Sequence, residues 1–383
     1  MSSEEWKTLR VSDICTKVVS GGTPSTRNPD YYDGSIPWLK TQEINFNRIY
    51  ETKTKITDEG LKNSSAKWIP ANSVIMAMYG ATAGKIAINK APITTNQACC
   101  NLIINDDIAD YRYIYYNLMS RFQEIASMAV GGAQQNLNAE MIRDLEIPLP
   151  SLSIQRRIAD VLSTLDDKIE LNSQTNSTLE AIAQAIFKEW FVDFNYPGAT
   201  GEMVESELGP IPKGWKVDKL SGLAAVSSGK GLKRNEFTNE GYPVLGANGQ
   251  IGNTNNYLLD DEVILTGRVG TLGTLQLINK KVWISDNVLI FKPKELFYYH
   301  YLYFWLKTID FQNLNRGSTQ PLITKTDLLH LPILQPELNI LIDYDRMCRG
   351  LFNLIENHNN ENISLSEIRD QFLPKLMSNA IEL

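Results

Sequence analysis

The chain has 383 residues, 43% hydrophobic and 21% charged, and a formal net charge of −7. That is enough apolar material for two ordinary domains, and no run reaches the roughly 18 consecutive apolar residues needed to cross a bilayer. The opening Met1-Ser2-Ser3-Glu4-Glu5-Trp6 lacks a basic stretch followed by an apolar one, so no secretion signal is expected.

The acid is unevenly spread. Residues 1–150 carry 15 basic and 16 acidic side chains and residues 201–338 carry 14 of each, whereas 151–200 and 339–383 each carry 4 basic and 7 acidic. The two larger regions can therefore gather basic groups on one face, although near-neutral domains predict modest affinity for a polyanion without a partner. Cys15, Cys99, Cys100 and Cys348 show no paired metal-ligand spacing. Adjacent Cys99 and Cys100 read as strand residues facing opposite sides, and a reduced, cytoplasmic setting is expected.

Taken in chain order, the elements are written twice. Trp6-Lys7 returns as Trp215-Lys216, and Ser20-Gly21-Gly22 as Ser228-Gly229-Lys230-Gly231. Ile36-Pro37-Trp38-Leu39 returns as Tyr242-Pro243-Val244-Leu245, and Ser73-Val74-Ile75-Met76 as Glu262-Val263-Ile264-Leu265. Small glycine turns follow, Gly80–Gly84 and Gly270–Gly273, and then predicted strands at Lys85–Ile88 and Thr274–Ile278. Aromatic-rich segments Tyr111–Ala126 and Tyr298–Ile309 read as helices whose aromatic stripe is core. Gly132-Ala133-Gln134 is matched by Gly317-Ser318-Thr319-Gln320, and Pro148/Pro150 by Pro332/Pro336.

After each proline pair comes a long heptad pattern. The first runs Ile158, Leu162, Leu165, Ile169, Asn172, Asn176, Leu179, Ala183, Ile186 and Trp190, the spacing of a coiled-coil seam. A second follows at Tyr344, Cys348, Leu351, Ile355, His358, Asn362, Leu365, Arg369, Phe372 and Leu376. Arg369 interrupts its apolar run, where Ile368 is expected to take over, and Pro374 predicts a kink or an end. Antiparallel pairing would bring Asn172 and Asn176 near His358 and Asn362, a polar layer that fixes register. Tyr196–Gly201 and Gly209–Gly214 read as connector.

The expected fold is therefore mixed α/β (α+β): two similar domains in a pseudo-twofold repeat, separated by two long helices forming an antiparallel coiled coil. The expected boundaries are 1–152, a first helix at 153–195, a connector at 196–214, a second domain at 215–337 and a second helix at 338–378.

Enzymatic motifs are incomplete. Gly80-Ala81-Thr82-Ala83-Gly84-Lys85-Ile86 has three residues between its glycines where a phosphate loop needs four, and Ile86 stands in place of the Ser or Thr. Asn28-Pro29-Asp30-Tyr31 departs from the Asn-Pro-Pro-Tyr signature of amino-methyltransferases and reads as a turn. His300, His330 and His358 lie far apart, without carboxylates or cysteines at ligand spacing. Asp106-Asp107, Asp166-Asp167 and Asp260-Asp261 read as solvated surface or helix caps.

On these residues the sequence resembles the specificity subunits of type I restriction–modification systems. The likeness is carried by Ser20–Ser25, Ile36–Lys40, Met78–Lys85, Leu149-Pro150 running into Ile154-Gln155-Arg156-Arg157-Ile158, and Glu205–Gly209 running into Ile211–Trp215. Gln371–Met377 closes it. The second helix departs from the pattern by opening on Leu338-Asn339-Ile340-Leu341-Ile342. The resemblance implies two target-recognition domains that read the halves of a bipartite, asymmetric site on double-stranded DNA, the helices setting the gap between them. It also implies two copies of an adenine methyltransferase subunit carrying S-adenosylmethionine, and restriction subunits, a translocase and nuclease using ATP and Mg. This chain would bind no cofactor or metal and would not be an enzyme.

Base edges are read by side chains such as Arg, Asn and Gln, and polar glycine loops let the backbone approach DNA. The candidates are Thr23, Ser25, Lys40, Gln42, Tyr79, Thr82, Lys85, Gln134 and Gln135 in the first domain. In the second they are Lys230, Lys233, Arg234, Asn248, Gln250, Arg268, Thr271, Ser318 and Gln320. Two rival readings are a stand-alone DNA-binding regulator without a methyltransferase partner and a purely structural coiled-coil scaffold. Near-neutral domains argue against the first, and the repeated polar glycine loops against the second.

Overall fold

The computed structural model describes residues 6–129, 136–268, 272–314 and 323–381. The chain divides into two compact units, residues 1–171 with 360–383, and residues 172–359.

The first unit opens with strand β1 (Lys7–Arg10), helix α1 (Val11–Ile14), β2 (Cys15–Ser20) and β3 (Tyr32–Leu39). Short elements follow: β4 (Asn47–Ile49), β5 (Lys55–Ile56), α2 (Asp58–Lys62) and β6 (Trp68–Ile69). The central strands are β7 (Val74–Ala77), β8 (Ile86–Asn89), β9 (Ile93–Thr95) and β10 (Cys99–Ile104). Helices α3 (Tyr111–Ser120), α4 (Phe122–Ser127) and α5 (Ala139–Arg143), then β11 (Glu146–Leu149), lead into the long helix α6 (Leu152–Phe191). The main sheet has the order β2-β10-β7-β8-β4, a second sheet the order β5-β3-β9-β6, and β1 pairs with β11.

The second unit opens with a hairpin, β12 (Met203–Ser206) and β13 (Gly209–Pro212), inside the segment that the sequence reads as connector. Then come β14 (Lys216–Lys219), α7 (Leu220–Leu223), β15 (Ala224–Ser228), β16 (Phe237–Thr238), β17 (Tyr242–Gly246) and β18 (Gly249–Thr254). Strands β19 (Val263–Gly267), β20 (Leu275–Ile278), β21 (Trp283–Ile284) and β22 (Val288–Pro293) complete the sheets. Helices α8 (Tyr299–Thr308) and α9 (Lys325–Leu329), β23 (Pro332–Gln335) and the long helix α10 (Leu338–Met377) follow. The sheet orders are β15-β22-β19-β20 and β16-β18-β17-β21, with β14 on β23. The repeat is thus a repeat of topology: β2-β10-β7-β8 and β15-β22-β19-β20 run in the same order, and β3–β9 and β17–β21 are both parallel pairs.

Alternation along the main sheet sends Cys100, Val74, Met76 and Leu102 to the face covered by α3 and α6, and Cys99, Ile75 and Ala77 to the other. The aromatic helices are core. Tyr113 donates to the Pro148 carbonyl at 2.6 Å, and Tyr301 repeats the contact on Leu334 at 2.6 Å, each tying a helix to the strand before a long helix. Burial pushes the Cys100 and Cys348 thiols up to about 12, and Cys15 likewise, with Cys100 adding to the last. These thiolates are scarce at pH 8, so alkylation of the native chain is expected to stay far slower than that of the denatured chain, where all four thiols react. Rapid native labelling, followed by mass spectrometry, would contradict this packing.

In the first unit, Ile158 and Leu162 of α6 share a core with Leu373 and Leu376 of α10. Arg369 occupies the seam itself and pairs with Asp166 at 2.8 Å, while Ile368 is exposed. Phe372, expected in the seam, is 41% exposed; Leu373 is 5% exposed and takes its place. Helix α10 runs through Pro374 to Met377 instead of ending at it. In the second unit His358 Nδ1 lies 2.8 Å from Asn176 Oδ1, and Asn176 Nδ2 donates to Asn359 Oδ1 at 3.0 Å. Asn172 is buried, Ala183 and Phe187 pack with Tyr344 and Cys348, and Ile186 and Leu351 are half-buried against them. Leu165, Ile169, Leu179, Ile355, Asn362 and Leu365 are all half-buried.

Candidate nucleic-acid interface

Strand direction alone gathers most first-unit candidates. Strands β2, β3 and β7 end where β4, β8 and β10 begin, so the loops after Ser20, Leu39, Thr95 and Ala77 share one edge of the sheets. Gly21 and Gly22 are clamped from behind: Gly21 N donates to Cys99 O at 3.3 Å and Gly22 N to Thr95 O at 2.9 Å. The Trp38 indole donates to Gly22 O at 2.9 Å. A Cβ on Gly21 would stand 2.1 Å from Thr95 O, so only glycine fits. Thr23 then presents its hydroxyl to Gln97 Oε1.

Around it, Lys40 lies 5.2 Å from the Trp38 ring centre, Lys85 Nζ donates to Asn45 Oδ1 at 2.8 Å, and Tyr79 is 44% exposed. The Thr82 hydroxyl is spent on its own turn, donating to Tyr79 O at 3.3 Å. Ser25 and Gln42 are exposed.

The second unit builds the same clamp from different residues. Gly229 N donates to Val288 O at 3.1 Å, and Lys230 N to Ile284 O at 2.8 Å. Trp283 on β21 donates its indole to Lys230 O at 2.8 Å, the carbonyl equivalent to that of Gly22. Lys230, Lys233 and Arg234 are exposed on the following loop, and Asn248 and Gln250 on the β17–β18 hairpin. Arg268 closes β19, its N donating to Asn287 O at 2.8 Å. Its buried Nε has no hydrogen-bond partner among the described residues. Gln134, Gln135, Thr271, Ser318 and Gln320 lie outside the described residues.

The fold adds residues that sequence reasoning passed over. Gln97 and Asp286 occupy equivalent exposed turns before β10 and β22. Asn45 holds Lys85, and Gln276 Nε2 donates to Gly246 O at 2.9 Å and Ala247 O at 3.2 Å, bracing the hairpin turn. None sits in a motif, and only strand register brings them to the edge. Among the described residues no group of three or more His, Cys, Asp or Glu is placed to hold a metal ion, and no helix is long and apolar enough to cross a membrane.

Two topologically equivalent units, each with a glycine loop clamped at a polar sheet edge and each joined to a long helix, make a duplicated recognition scaffold. The family model described as the type I restriction modification DNA specificity domain matches residues 3–181 and 212–368. The type I restriction enzyme MjaIX specificity subunit of Methanocaldococcus jannaschii is 30% identical over 408 aligned positions, covering 98% of this chain and 93% of that protein. The EcoR124I/EcoR124II specificity subunit of Escherichia coli is 31% identical over 188 positions, 48% of this chain and 44% of that protein. The crystal structure of the type I restriction–modification S subunit from M. genitalium matches at TM-score 0.60 and 18% identity, covering 98% of this chain and 97% of that one, a likeness of fold. The chain belongs to the type I restriction–modification DNA specificity family. Its role is DNA recognition rather than catalysis.

Proposed function

We propose that each unit reads one half of a bipartite, asymmetric site on double-stranded DNA, with the glycine-loop edge as the reading surface. The duplicated clamp carries this reading: two units hold equivalent loops by equivalent hydrogen bonds yet fill the edges with different side chains. One scaffold with two unlike edges suits two unlike half-sites. Phosphate contacts would come from Lys40, Lys85, Lys230, Lys233 and Arg234, and base contacts from the polar residues among them.

Helices α6 and α10 act as the antiparallel spacer in this reading, with Asn176, His358 and Asn359 as its register-fixing layer. Their outward sides support protein docking. Val161 and Ile182 on α6 lie 21 residues apart, as do Met347 and Ile368 on α10, and all four are exposed. Twenty-one residues are three heptads, so each pair repeats one helix face. The first unit holds Val161 with Ile368 and the second Ile182 with Met347, one apolar pair for each of two methyltransferase copies. S-adenosylmethionine would reside on those copies, and ATP and Mg on restriction subunits that join them. The chain itself would bind neither cofactor nor metal, and would work in the cytoplasm.

The test is a single-molecule methylome of cells carrying this gene and its methyltransferase, against a deletion of this gene alone. One bipartite adenine-methylation motif should vanish on deletion; identical methylomes with an active partner would overturn the reading. Within it, Arg268→Ala is expected to weaken methylation of the site about tenfold, a loss in the range of one base contact. Unchanged methylation and DNA affinity would remove Arg268 from the edge.

A further inference from the structure

Resting on the reading of the second unit as a DNA reader, we infer that the β17–β18 hairpin enters the major groove and that Ile251 covers the methyl group of a thymine in the second half-site. The hairpin is unlike the rest of the edge. From Gly241 to Leu259 the chain has no charged residue, and it carries five amides: Asn248, Gln250, Asn253, Asn255 and Asn256. A surface for phosphates needs cations. A surface for base edges needs neutral donors and acceptors with apolar groups between them, and a two-stranded ribbon has the width to enter the major groove.

Ile251 sits beside the hairpin turn and is 57% exposed. Packing does not account for this. A Cβ on Gly246 would meet Ile251 Cγ2 at 3.0 Å, so the side chain lies across that glycine with its outer side bare. Gln250, next to it, donates through Nε2 to Asn253 Oδ1 at 2.8 Å and Gly252 O at 3.2 Å. With its nitrogen engaged inside the hairpin, the group it offers a base is an acceptor, suited to an exocyclic amino group of adenine or cytosine. The ribbon is stiffened on both sides. The Phe237 ring fills the space where a Cβ on Gly252 would lie, 2.6 Å from it, and Gln276 braces the turn. Lys230, Lys233 and Arg234 on the neighbouring loop supply the phosphate contacts that the hairpin lacks.

Among the described residues the first unit has no tight ribbon here: β5 pairs antiparallel with β3 as β18 does with β17, but residues 40–54 lie between the two strands in place of a hairpin turn. After Leu39 its chain passes through a 3-10 turn, Thr41–Glu43, to β4, which joins the main sheet beside β8. The contact assigned to Ile251 therefore belongs to the second half-site.

The experiment uses the assembled methyltransferase complex and a duplex bearing the site read from the methylome. Each thymine of the second half-site is replaced in turn by deoxyuridine, which lacks only the 5-methyl group. Wild type should lose about fourfold in affinity at one position, the scale of one buried methyl. Ile251→Ala should lose a similar factor on the natural duplex and become indifferent to deoxyuridine there, while Ile251→Val keeps most of the wild-type response. Equal sensitivity of wild type and Ile251→Ala to deoxyuridine at every position would overturn the inference, as would a second half-site without thymine on either strand. Absence of any methylation motif would instead sink the specificity reading beneath it.

Discussion

Asp166→Ala is expected to destabilise the first unit by about 3 kcal/mol, the low end for removing one partner of a buried ion pair, and to lower its unfolding midpoint by roughly 6–12 °C. Asp166 receives a hydrogen bond from Tyr116 at 2.6 Å and pairs with Arg369 at 2.8 Å. The Asp166 and Arg369 side chains are 16% and 15% exposed, so removing the carboxylate leaves a largely buried guanidinium paired with the solvent-exposed Asp370 at 2.8 Å and takes the acceptor from the Tyr116 hydroxyl. Burial pushes the Tyr116 phenol up and the Asp166 carboxylate adds to it, so the phenol stays a neutral donor. The second unit builds the equivalent place from Phe304, Phe352 and Ala183, with the two rings 6.2 Å apart. Copying that solution as Tyr116→Phe, Asp166→Phe, Arg369→Ala should recover most of the loss, because apolar replacement of a whole buried pair is often neutral. Chemical denaturation measures both variants. A loss below about 1 kcal/mol for Asp166→Ala would show the pair to be solvent-screened.

The second large effect concerns the clamps. Gly21→Ala and Gly229→Ala are each expected to cut methylation of the bipartite site by tenfold or more, since forcing a carbon into a packed site costs about 1–3 kcal/mol. The added carbon would stand 2.1 Å from Thr95 O in one case and 2.2 Å from Ser285 O in the other. Both obstacles are backbone, so a strand must move and the loop with it. Gly350→Ala is the control: it lies in α10 with nothing within 4 Å of the new carbon, and there alanine stabilises the helix by about 1 kcal/mol. Steady-state methylation and melting of the three variants decide it; wild-type methylation by Gly229→Ala would mean that the loop is not held in place for reading.

Much of the architecture was legible because it is written in local periods. Heptads announced α6 and α10, apolar runs with glycine turns announced β7–β8 and β19–β20, and the aromatic segments read correctly as buried. What failed depends on packing across the chain. Phe372 and Leu373 fit the end of the heptad equally well by sequence. Contact with the Tyr113 and Leu118 core selects Leu373. Glycines and prolines made the β12–β13 hairpin look like linker, although Gly209, at φ +87°, closes its turn and Pro210 and Pro212 are paired in β13. At the candidate edge, glycine motifs pointed to the loops around Thr23 and Lys230. Gln97, Asn45, Asp286 and Gln276 have no local signature and became visible only through strand register.

Trp38 sits on β3, whereas Trp283 sits on β21, the partner of β17, the strand equivalent to β3. They approach from neighbouring strands and stop at the same carbonyl. The two copies thus pin the same carbonyl with donors from different strands: the point at which the loop's backbone is held is common to both, and the residue that holds it is not. Such a pin behaves like a lens mount: the optics in front can be exchanged without refocusing, because the hydrogen bonds that hold the glycine loop come from backbone and indole groups behind it.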